Sequence, residues 1–403
     1  MGYTAPNQFF LKNNIGTDSA VIAAELAKIG VELNSTTRSA TIVIAASNSS
    51  AQSKAQADYV CDGVADNIKI QTTIDSLPPT GGRIILLDGT FNIIDNINMR
   101  SYLTLEGQGF STIIKISNSV YKNIINAISV NGVNIKNIQL DGNKTNNTSQ
   151  ANVLIQNGLY LENCTNSVFD CILVQNCTQN GVYAMPITGA TGPNLMYNQF
   201  SKIISLLNGQ SGIYFDSYAE YNTVSNCQFN NNGKYGIACC TANTAFTNCI
   251  AIQNTESGIA IIQASKSSNN SFVGCHANHN IKYGFRIVGA AQTVINACKS
   301  IANMRHGVSL EGAIQNSITN NTVTTNCFDS TGYDNIHLDA TSTGNIISGN
   351  SILRQSGAAE YGINEGTGAN YNLFQGNIIG THVTSAKVIS GANSVDDNNL
   401  LLV

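Results

Sequence analysis

Apolar and polar positions alternate over short runs along most of the chain, and one run recurs many times. Six hexapeptides between residues 180 and 311 place a glycine second and follow it with four mostly β-prone residues: NGVYAM, SGIYFD, YGIACC, SGIAII, YGFRIV and HGVSLE. The glycine position recurs at intervals of 22 to 31 residues from Gly158 to Gly362. A repeat of this length with a short strand in each unit predicts a solenoid, because each unit buries its apolar residues only against its neighbours.

A second short run recurs in phase with the first: NSVFDC, NTVSNC, TAFTNC, NSFVGC, NSITNN, NIISGN and NLFQGN. Two short strands per unit leave no room for a long helix, so we expect parallel strands stacked about 4.8 Å apart. The last position of this run then forms one buried column, predicted as Cys171, Cys227, Cys249, Cys275, Cys298, Asn321, Asn350 and Asn377.

Most of the 11 cysteines are explained by this column as small buried side chains. The chain has no CxxC pair, and Cys239 and Cys240 are adjacent. Both a disulfide framework and a zinc site therefore fit poorly.

Strand alternation also predicts which side chains face outward. The first and third residues after the glycine are mostly apolar and should face the interior. The second and fourth should face outward, and we call them the outer strip. The second positions are Tyr160, Tyr183, Tyr214, Ala238, Ala260, Arg286, Ser309, His337 and Asn364. The fourth positions are Glu162, Met185, Asp216, Cys240, Ile262, Val288, Glu311, Asp339 and Gly366.

One end of the outer strip carries three tyrosines in line, Tyr160, Tyr183 and Tyr214, beside Glu162 and Asp216. Aromatic faces along a groove suit the apolar faces of sugar rings, so we predict substrate binding here. The long excursion at 186–197 is expected to wall this groove. Stacking of β-prone residues for stability alone is the alternative.

The other end carries two carboxylates in equivalent positions of adjacent units, Glu311 and Asp339. Their backbones should lie about 5 Å apart. Such a pair should share a proton, which raises one pKa and provides an acid and a base for glycoside cleavage. A second candidate pair is Asp216 with Glu162, two units apart.

Two basic side chains accompany these carboxylates. Arg286 has the fork that binds a sugar carboxylate or phosphate. His337 is a candidate general base for β-elimination. The alternative is that each of these residues is a solvated polar side chain without a catalytic role, with an incidental Arg–Glu ion pair.

Bulk properties exclude several partners. Charged residues make up 11% of the chain, the net charge is −4 and no basic run exists, so a nucleic-acid partner is not expected. No apolar stretch is long enough to span a membrane. The N-terminus lacks the pattern of a secretory signal.

The five histidines are scattered, and no metal or other cofactor is predicted.

The segment DGVADNIKIQTTIDSLPPTGGRIILLDGTFNI predicts a helix that caps the first unit, followed by a Gly-Gly turn and a strand. Asp66 is the expected N-cap, and the strand is expected at 84–87. The apolar stripe of the helix is predicted to comprise Ile68, Ile70, Ile74 and Leu77.

This segment, together with ADYVC before it and IKNIQLDGNK after it, resembles the opening of the pectate-lyase-like superfamily. It resembles most the branch that contains bacteriophage tailspikes and polysaccharide-degrading enzymes. The resemblance implies an all-β, right-handed parallel β-helix over residues 57–403. It does not imply one reaction. The clustered calcium-binding aspartates of the pectate lyases and the DPH signature of β-helical epimerases are absent.

Residues 1–56 differ from the repeats and are predicted to form a neck or attachment segment. A short helix, a strand in SATIVIAA and a polar linker in SNSSAQSKAQ are expected there. The segment resembles the trimerising or virion-attaching part of tailspikes, and the alternative is a terminal extension packed on the cap.

These observations together favour a tailspike-like protein, on a virion or outside a cell, that binds and cleaves a bacterial surface polysaccharide by hydrolysis. A homotrimer attached to a phage tail or baseplate through residues 1–56 is implied by the resemblance. A non-enzymatic adhesive or structural β-helix and a polysaccharide lyase are the alternatives.

Overall fold

A computed structural model describes residues 41–148, 156–262, 267–328, 331–354 and 356–402. The chain winds into coils whose short strands pair in parallel with the coils before and after. Tyr160 lies beside Tyr183, and Tyr183 lies beside Tyr214. This stacking of residues about two dozen positions apart confirms the predicted parallel β-helix.

One sheet takes a single strand from each of twelve successive coils, and the outer strip lies on it. We call it the twelve-stranded sheet. Its strands are Ile97–Asn98, Ile125–Ile128, Leu159–Glu162, Val182–Met185, Ile213–Phe215, Ile237–Cys239, Ile259–Ile261, Phe285–Val288, Val308–Glu311, Ile336–Leu338, Tyr361–Glu365 and Ser385–Val388.

A 26-stranded sheet takes up the rest of each coil as two parallel series. The first series is Thr41–Ala45, Tyr59–Val60, Gly82–Leu86, Leu103–Glu106, Gln199–Ser201, Thr223–Ser225, Ala245–Thr247, Ser271–Val273, Val294–Asn296, Ser317–Thr319, Ile346–Ser348, Leu373–Gln375 and Val395–Asp397. The second series is Gly89–Ile93, Thr112–Ile116, Ile204–Leu206, Gln228–Asn230, Ile250–Ile252, His276–Asn278, Lys299–Ile301, Thr322–Thr324, Ser351–Leu353, Ile378–Ile379 and Leu400–Leu401. Two long strands, Asn134–Asp141 and Val168–Gln175, belong to both series.

A residue in the left-handed conformation makes the corner between the two series, as at Asn226 with φ 55°. Cys171 is such a corner residue, with φ 52°, and is only partly buried. Its assignment to the buried column is therefore wrong by one residue: Cys171 is equivalent to the corner residue Asn226, and Ile172, the equivalent of Cys227, takes the buried position. The column from Cys227 onward is as predicted.

The asparagines of this column satisfy one another along the helix axis. Asn321 donates from its backbone and its side-chain amide to Asn350 Oδ1, at 2.9 and 3.0 Å. Asn350 donates to Asn377 in the same way, at 3.0 and 2.9 Å. Buried amides are retained in the core because these bonds offset the cost of removing them from water. All 11 cysteines are free thiols, which agrees with the prediction.

Two α-helices lie near the N-terminal end of the described chain, α1 (Ala51–Gln56) and α2 (Asp66–Ser76), and a 3₁₀ turn spans Lys144–Asn146. The capping helix α2 is present, with Ile70 and Ile74 buried, but Ile68 is 60% exposed. The assignment of Asp66 as N-cap is wrong: Ala65 holds that position. The Asp66 carboxylate instead accepts hydrogen bonds from the backbones of Gly63 and Asn92, both at 2.8 Å.

The predicted strand near residue 41 belongs to the first coil, because Thr41–Ala45 pairs in parallel with Gly82–Leu86. The stretch expected to be a polar linker contains α1. A boundary at residue 56 between neck and coil stays a prediction, although this pairing favours a boundary nearer residue 40. The helix expected before residue 40 lies outside the described residues. Neither helix in the described part of the chain has the length and hydrophobicity that a membrane crossing requires.

Candidate functional site

The outer strip is in register along the twelve-stranded sheet, but its middle is not exposed. Ala238 and Ala260 face outward and are nonetheless fully buried, because they pack with Tyr235 in a small separate cluster. Tyr214 and Ile262 flank that cluster. The strip is therefore divided into a tyrosine end, from Glu162 and Tyr160 to Asp216, and a histidine end, from Arg286 to Asp339.

At the tyrosine end, Tyr160, Tyr183 and Tyr214 lie on successive coils, and we call them the ladder. Each of their hydroxyls has a hydrogen-bonding partner. Tyr160 donates to Glu162 Oε2 at 2.8 Å, and Tyr183 donates to Asp216 Oδ2 at 3.0 Å. The hydroxyl of Tyr214 lies 3.3 Å from the sulfur of Cys240. These bonds hold both carboxylates of this end beside phenols.

The three rings pack edge to face, with centroids 6.0 Å apart for Tyr160 and Tyr183 and 5.4 Å apart for Tyr183 and Tyr214. Tyr183 is only 5% exposed. Burial, with the nearby charge of Asp216, raises the pKa of Tyr183, so its phenol stays a donor. This packing does not favour the predicted stacking of sugar rings on the ladder and favours a stabilising role.

A depression of about 150 Å³ adjoins the ladder. It is lined by Gln179, Asn180, Tyr183, Gln210, Ser211, Tyr214 and Lys234. None of these residues comes from the excursion at 186–197, which therefore does not wall this depression as expected.

At the histidine end, Arg286 and Glu311 form a two-pronged ion pair across adjacent coils. Arg286 Nε lies 2.9 Å from Glu311 Oε1, and Nη2 lies 2.7 Å from Oε2. Ser309 Oγ also donates to Glu311 Oε1, at 3.0 Å. Burial opposes the ionised form, but the hydrogen bonds and charge of Arg286 offset it and the pKa of Glu311 is lowered.

Asp339 has its own donors, the backbones of Gly312 at 2.9 Å and Thr341 at 3.0 Å and the hydroxyl of Ser342 at 2.9 Å. Burial again opposes ionisation, and these bonds lower the pKa of Asp339. The predicted shared proton is therefore wrong, because each carboxylate is stabilised separately as an anion. Neither has the raised pKa that a general acid needs.

His337 is joined to a buried aspartate that the sequence reasoning missed. His337 Nδ1 lies 2.9 Å from Asp334 Oδ2. Because a carboxylate only accepts, His337 donates from Nδ1, and its Nε2 has no hydrogen-bond partner among the described residues. Asp334 is 2% exposed and also accepts from the Asn364 amide at 3.0 Å and the Tyr361 backbone at 3.2 Å.

A second histidine lies under His337, with ring centroids 4.4 Å apart and planes 15° apart. This is His306, whose Nδ1 accepts from the backbone of Asp334 at 2.8 Å. Burial lowers the pKa of His306 to about 4, so the ring is neutral near pH 7. One signal in the sequence pointed to the pair: His306 and Asp334 both directly precede the glycine position, in successive units.

His306, Asp334 and His337 form the one group among the described residues with metal-ligand atoms within 4.8 Å of one another. The Nδ1 atoms of both rings already take part in hydrogen bonds with Asp334, and the rings are nearly parallel. Their remaining lone pairs therefore do not converge on one point as metal ligands must. The geometry favours a hydrogen-bonded histidine–carboxylate pair over a metal centre.

Cations over tyrosine rings accompany both ends of the strip. Lys234 lies 5.3 Å from the Tyr235 ring centre, and Arg305 lies 5.3 Å from that of Tyr333. In the described ranges neither cation has a carboxylate within ion-pair distance. The surface therefore offers positive charge that is not neutralised internally.

Comparison with known families agrees with this architecture. The family described as "Right handed beta helix region" matches residues 126–298. The protein is thus a right-handed parallel β-helix. No match was found among curated protein sequences.

Solved structures with the same fold include enzymes and phage proteins. The A-module of the Azotobacter vinelandii mannuronan C-5 epimerase AlgE6 superposes with a TM-score of 0.74 at 18% identity, over 85% of this chain and 96% of that chain. The tailspike protein gp208 of Dettilon gives 0.61 at 15% identity, over 83% and 66%. The tailspike gp49 of Acinetobacter baumannii bacteriophage Fri1, a capsular polysaccharide depolymerase, gives 0.55 at 13%, over 81% and 61%. At these low identities the superpositions show a shared fold and nothing further.

Proposed function

We propose that this protein is a tailspike-like β-helix that binds an acidic bacterial surface polysaccharide and cleaves it by β-elimination at the histidine end. One observation carries the proposal: Asp334 bonds to His337 Nδ1 and so orients its imidazole, on the outer strip that also carries Arg286 two coils away. An oriented imidazole on the same strip as a guanidinium suits proton removal from a carbon next to a sugar carboxylate.

In the proposed reaction, His337 Nε2 takes the proton from the carbon that bears the carboxylate of a uronate residue. The electron pair of that C–H bond forms a carbon–carbon double bond, and the bond to the glycosidic oxygen on the next carbon breaks. Water supplies the proton that the departing oxygen requires. Asp334 stabilises the imidazolium that forms, since its carboxylate is held 2.9 Å from Nδ1.

Arg286 is proposed to bind the sugar carboxylate. Its Nε and Nη2 contact Glu311, which leaves Nη1 for a substrate group. Neutralising the carboxylate makes the adjacent proton more acidic and is the main electrostatic requirement of this step.

Hydrolysis through Glu311 with Asp339, or through Asp216 with Glu162, is less well supported. The pKa values of Glu311 and Asp339 are lowered, so neither is a proton donor near pH 7. Asp216 and Glu162 each accept a phenol hydrogen bond from the ladder.

A non-enzymatic adhesive or structural β-helix is the second candidate, and the closed, stabilising packing of the tyrosine end favours its structural form. The phage origin of two solved structures with this fold supports a virion or extracellular location. Assembly as a homotrimer, attached to a tail or baseplate through residues 1–56, is part of the proposal.

The test is incubation with alginate, polygalacturonate, hyaluronan and a panel of bacterial capsular polysaccharides. We expect new reducing ends together with the ultraviolet absorbance of an unsaturated uronate. New ends without that absorbance would establish hydrolysis and contradict the proposed step. Binding without new ends would establish the adhesive alternative.

A further inference from the structure

A second exposed feature lies at the corner that follows the twelve-stranded sheet. One residue per coil adopts the left-handed conformation there, directly before the first series of the 26-stranded sheet. The residues of this corner column are Tyr102, Gly132, Asn166, Tyr197, Tyr221, Asn243, Asn269, Gln292, Gln315, Gly344 and Tyr371. Glycine and asparagine adopt this conformation most readily, and a bulky aromatic residue adopts it only with strain.

Tyr197 and Tyr221 occupy adjacent coils of this column, with φ values of 60° and 56°. Their rings are stacked, with centroids 5.8 Å apart and planes 25° apart. They are 56% and 44% exposed. Because both rings are exposed, the strain in their backbone does not serve the packing of the core. Backbone strain of this kind tends to be retained at functional sites.

The two phenols contrast with the ladder on the twelve-stranded sheet. Over the ranges that the structure describes, neither the Tyr197 nor the Tyr221 hydroxyl has a hydrogen-bond partner. The neighbours in the column are amides: Asn166 bonds to Asn131 at 3.2 Å, and Asn243 bonds to Glu220 at 2.8 Å. The pair therefore offers open ring faces, free hydroxyls and a polar border.

We infer that Tyr197 and Tyr221 form an auxiliary binding platform for a pyranose ring of the same polysaccharide, an inference that rests on the proposed function. Aromatic faces contact the C–H face of a sugar, and the free hydroxyls and amides bind its edge. Five coils separate this platform from the coil of His337, about 24 Å along the axis. A long polymer can contact both places, whereas a short oligosaccharide cannot.

The column provides its own matched substitution. Tyr197→Asn with Tyr221→Asn introduces the residue that Asn166 and Asn243 already place in this conformation. The melting temperature should therefore stay the same or rise. The control is Tyr371→Asn, because Tyr371 is 67% exposed in the same column at φ 56° and stacks on no other ring in the described chain.

Binding is measured on an array of bacterial capsular and O-chain polysaccharides that includes alginate and polygalacturonate. We expect the double variant to bind the polymers recognised by the wild type about tenfold more weakly. Tyr371→Asn should bind them normally. The double variant should also degrade short oligosaccharides of the recognised polymer at the wild-type rate.

Two results would overturn the inference, and they are distinguishable. If the double variant bound the polymers with wild-type affinity, the inferred platform would be contradicted and the proposed function would stand. Absence of any polymer binding by the wild type would remove the proposed function, and the platform with it.

Discussion

The tyrosine end and the histidine end of the outer strip occupy equivalent positions of the same sheet and differ in what their side chains leave free. In the tyrosine end, Tyr160, Tyr183 and Tyr214 each contact a carboxylate or a thiol, and the rings cover one another. In the histidine end, the Asp334 carboxylate bonds to His337 Nδ1, and Nε2 has no hydrogen-bond partner in the described ranges.

The difference shows that a site needs outward-facing side chains, but that an outward position alone does not make a residue part of a site. Hydrogen-bond partners decide whether a side chain is already bonded within the protein or has an atom left for a substrate. At the tyrosine end, carboxylates accept from the phenols of Tyr160 and Tyr183. At the histidine end a buried carboxylate fixes the orientation of an imidazole, and the proposed elimination depends on that orientation.

His337→Gln should have the largest effect at the histidine end. We expect turnover of the recognised polysaccharide to fall by about 10²–10⁴-fold, because the proposed general base is lost. The melting temperature should change little, since His337 is partly exposed. Asp216→Asn at the tyrosine end is the control and should keep its turnover. Equal losses in both variants would show that the two ends do not differ in function.

Acid titration tests whether the histidine end carries a buried neutral ring. The folded pKa of His306 is about 4, below the ordinary value of 6.5, so the unfolded chain binds the extra proton between these values. The free energy of unfolding should therefore fall as pH drops from about 6.5 to about 4, by on the order of 3 kcal/mol.

His306→Phe keeps a stacked ring and should remove this part of the slope in denaturant titrations at several pH values. Asp334, His337 and Glu311 lie near the ring and are present in both proteins, so the difference between the two curves isolates His306. Parallel curves would contradict the assignment.

Glu311→Gln separates the two chemistries proposed for the histidine end. Loss of the ion pair should reduce turnover about tenfold by misplacing Arg286 and lower the unfolding free energy by about 1 kcal/mol. Steady-state kinetics and thermal melts give both values. Abolished turnover with an unchanged melt would instead place Glu311 in a hydrolytic mechanism.

Tyr183→Phe gives the smallest expected effect. It tests whether the tyrosine end contributes to stability and does not bind sugar. It removes one hydrogen bond to Asp216 and should lower the unfolding free energy by about 1 kcal/mol. Turnover and polymer binding should not change. A loss of binding at constant stability would restore the ladder as the sugar-binding surface.

The fold was predictable from particular residues. The recurring glycine position and the column from Cys227 to Asn377 define the coil length. Side-chain alternation correctly predicted that Val182 and Ile213 face the interior. The errors fall at corners and caps. Cys171 was misplaced because NSVFDC begins on the corner residue Asn166, whereas NTVSNC begins one residue after its corner, so the two runs are offset by one. Asp66 was misassigned because its carboxylate bonds to Gly63 and Asn92 instead of the helix terminus.

Apolar periodicity and stacked amides in the sequence specify which residues lie on one another, and so the parallel coil and the register of its strands follow from the repeat. Which polar groups are neutralised does not follow from the repeat. The pairing of Arg286 with Glu311 and of Asp334 with His337 depends on side-chain directions and burial, and residue spacing does not encode these. The candidate site therefore depends on side-chain contacts within and between coils, whereas the fold depends on the repeat.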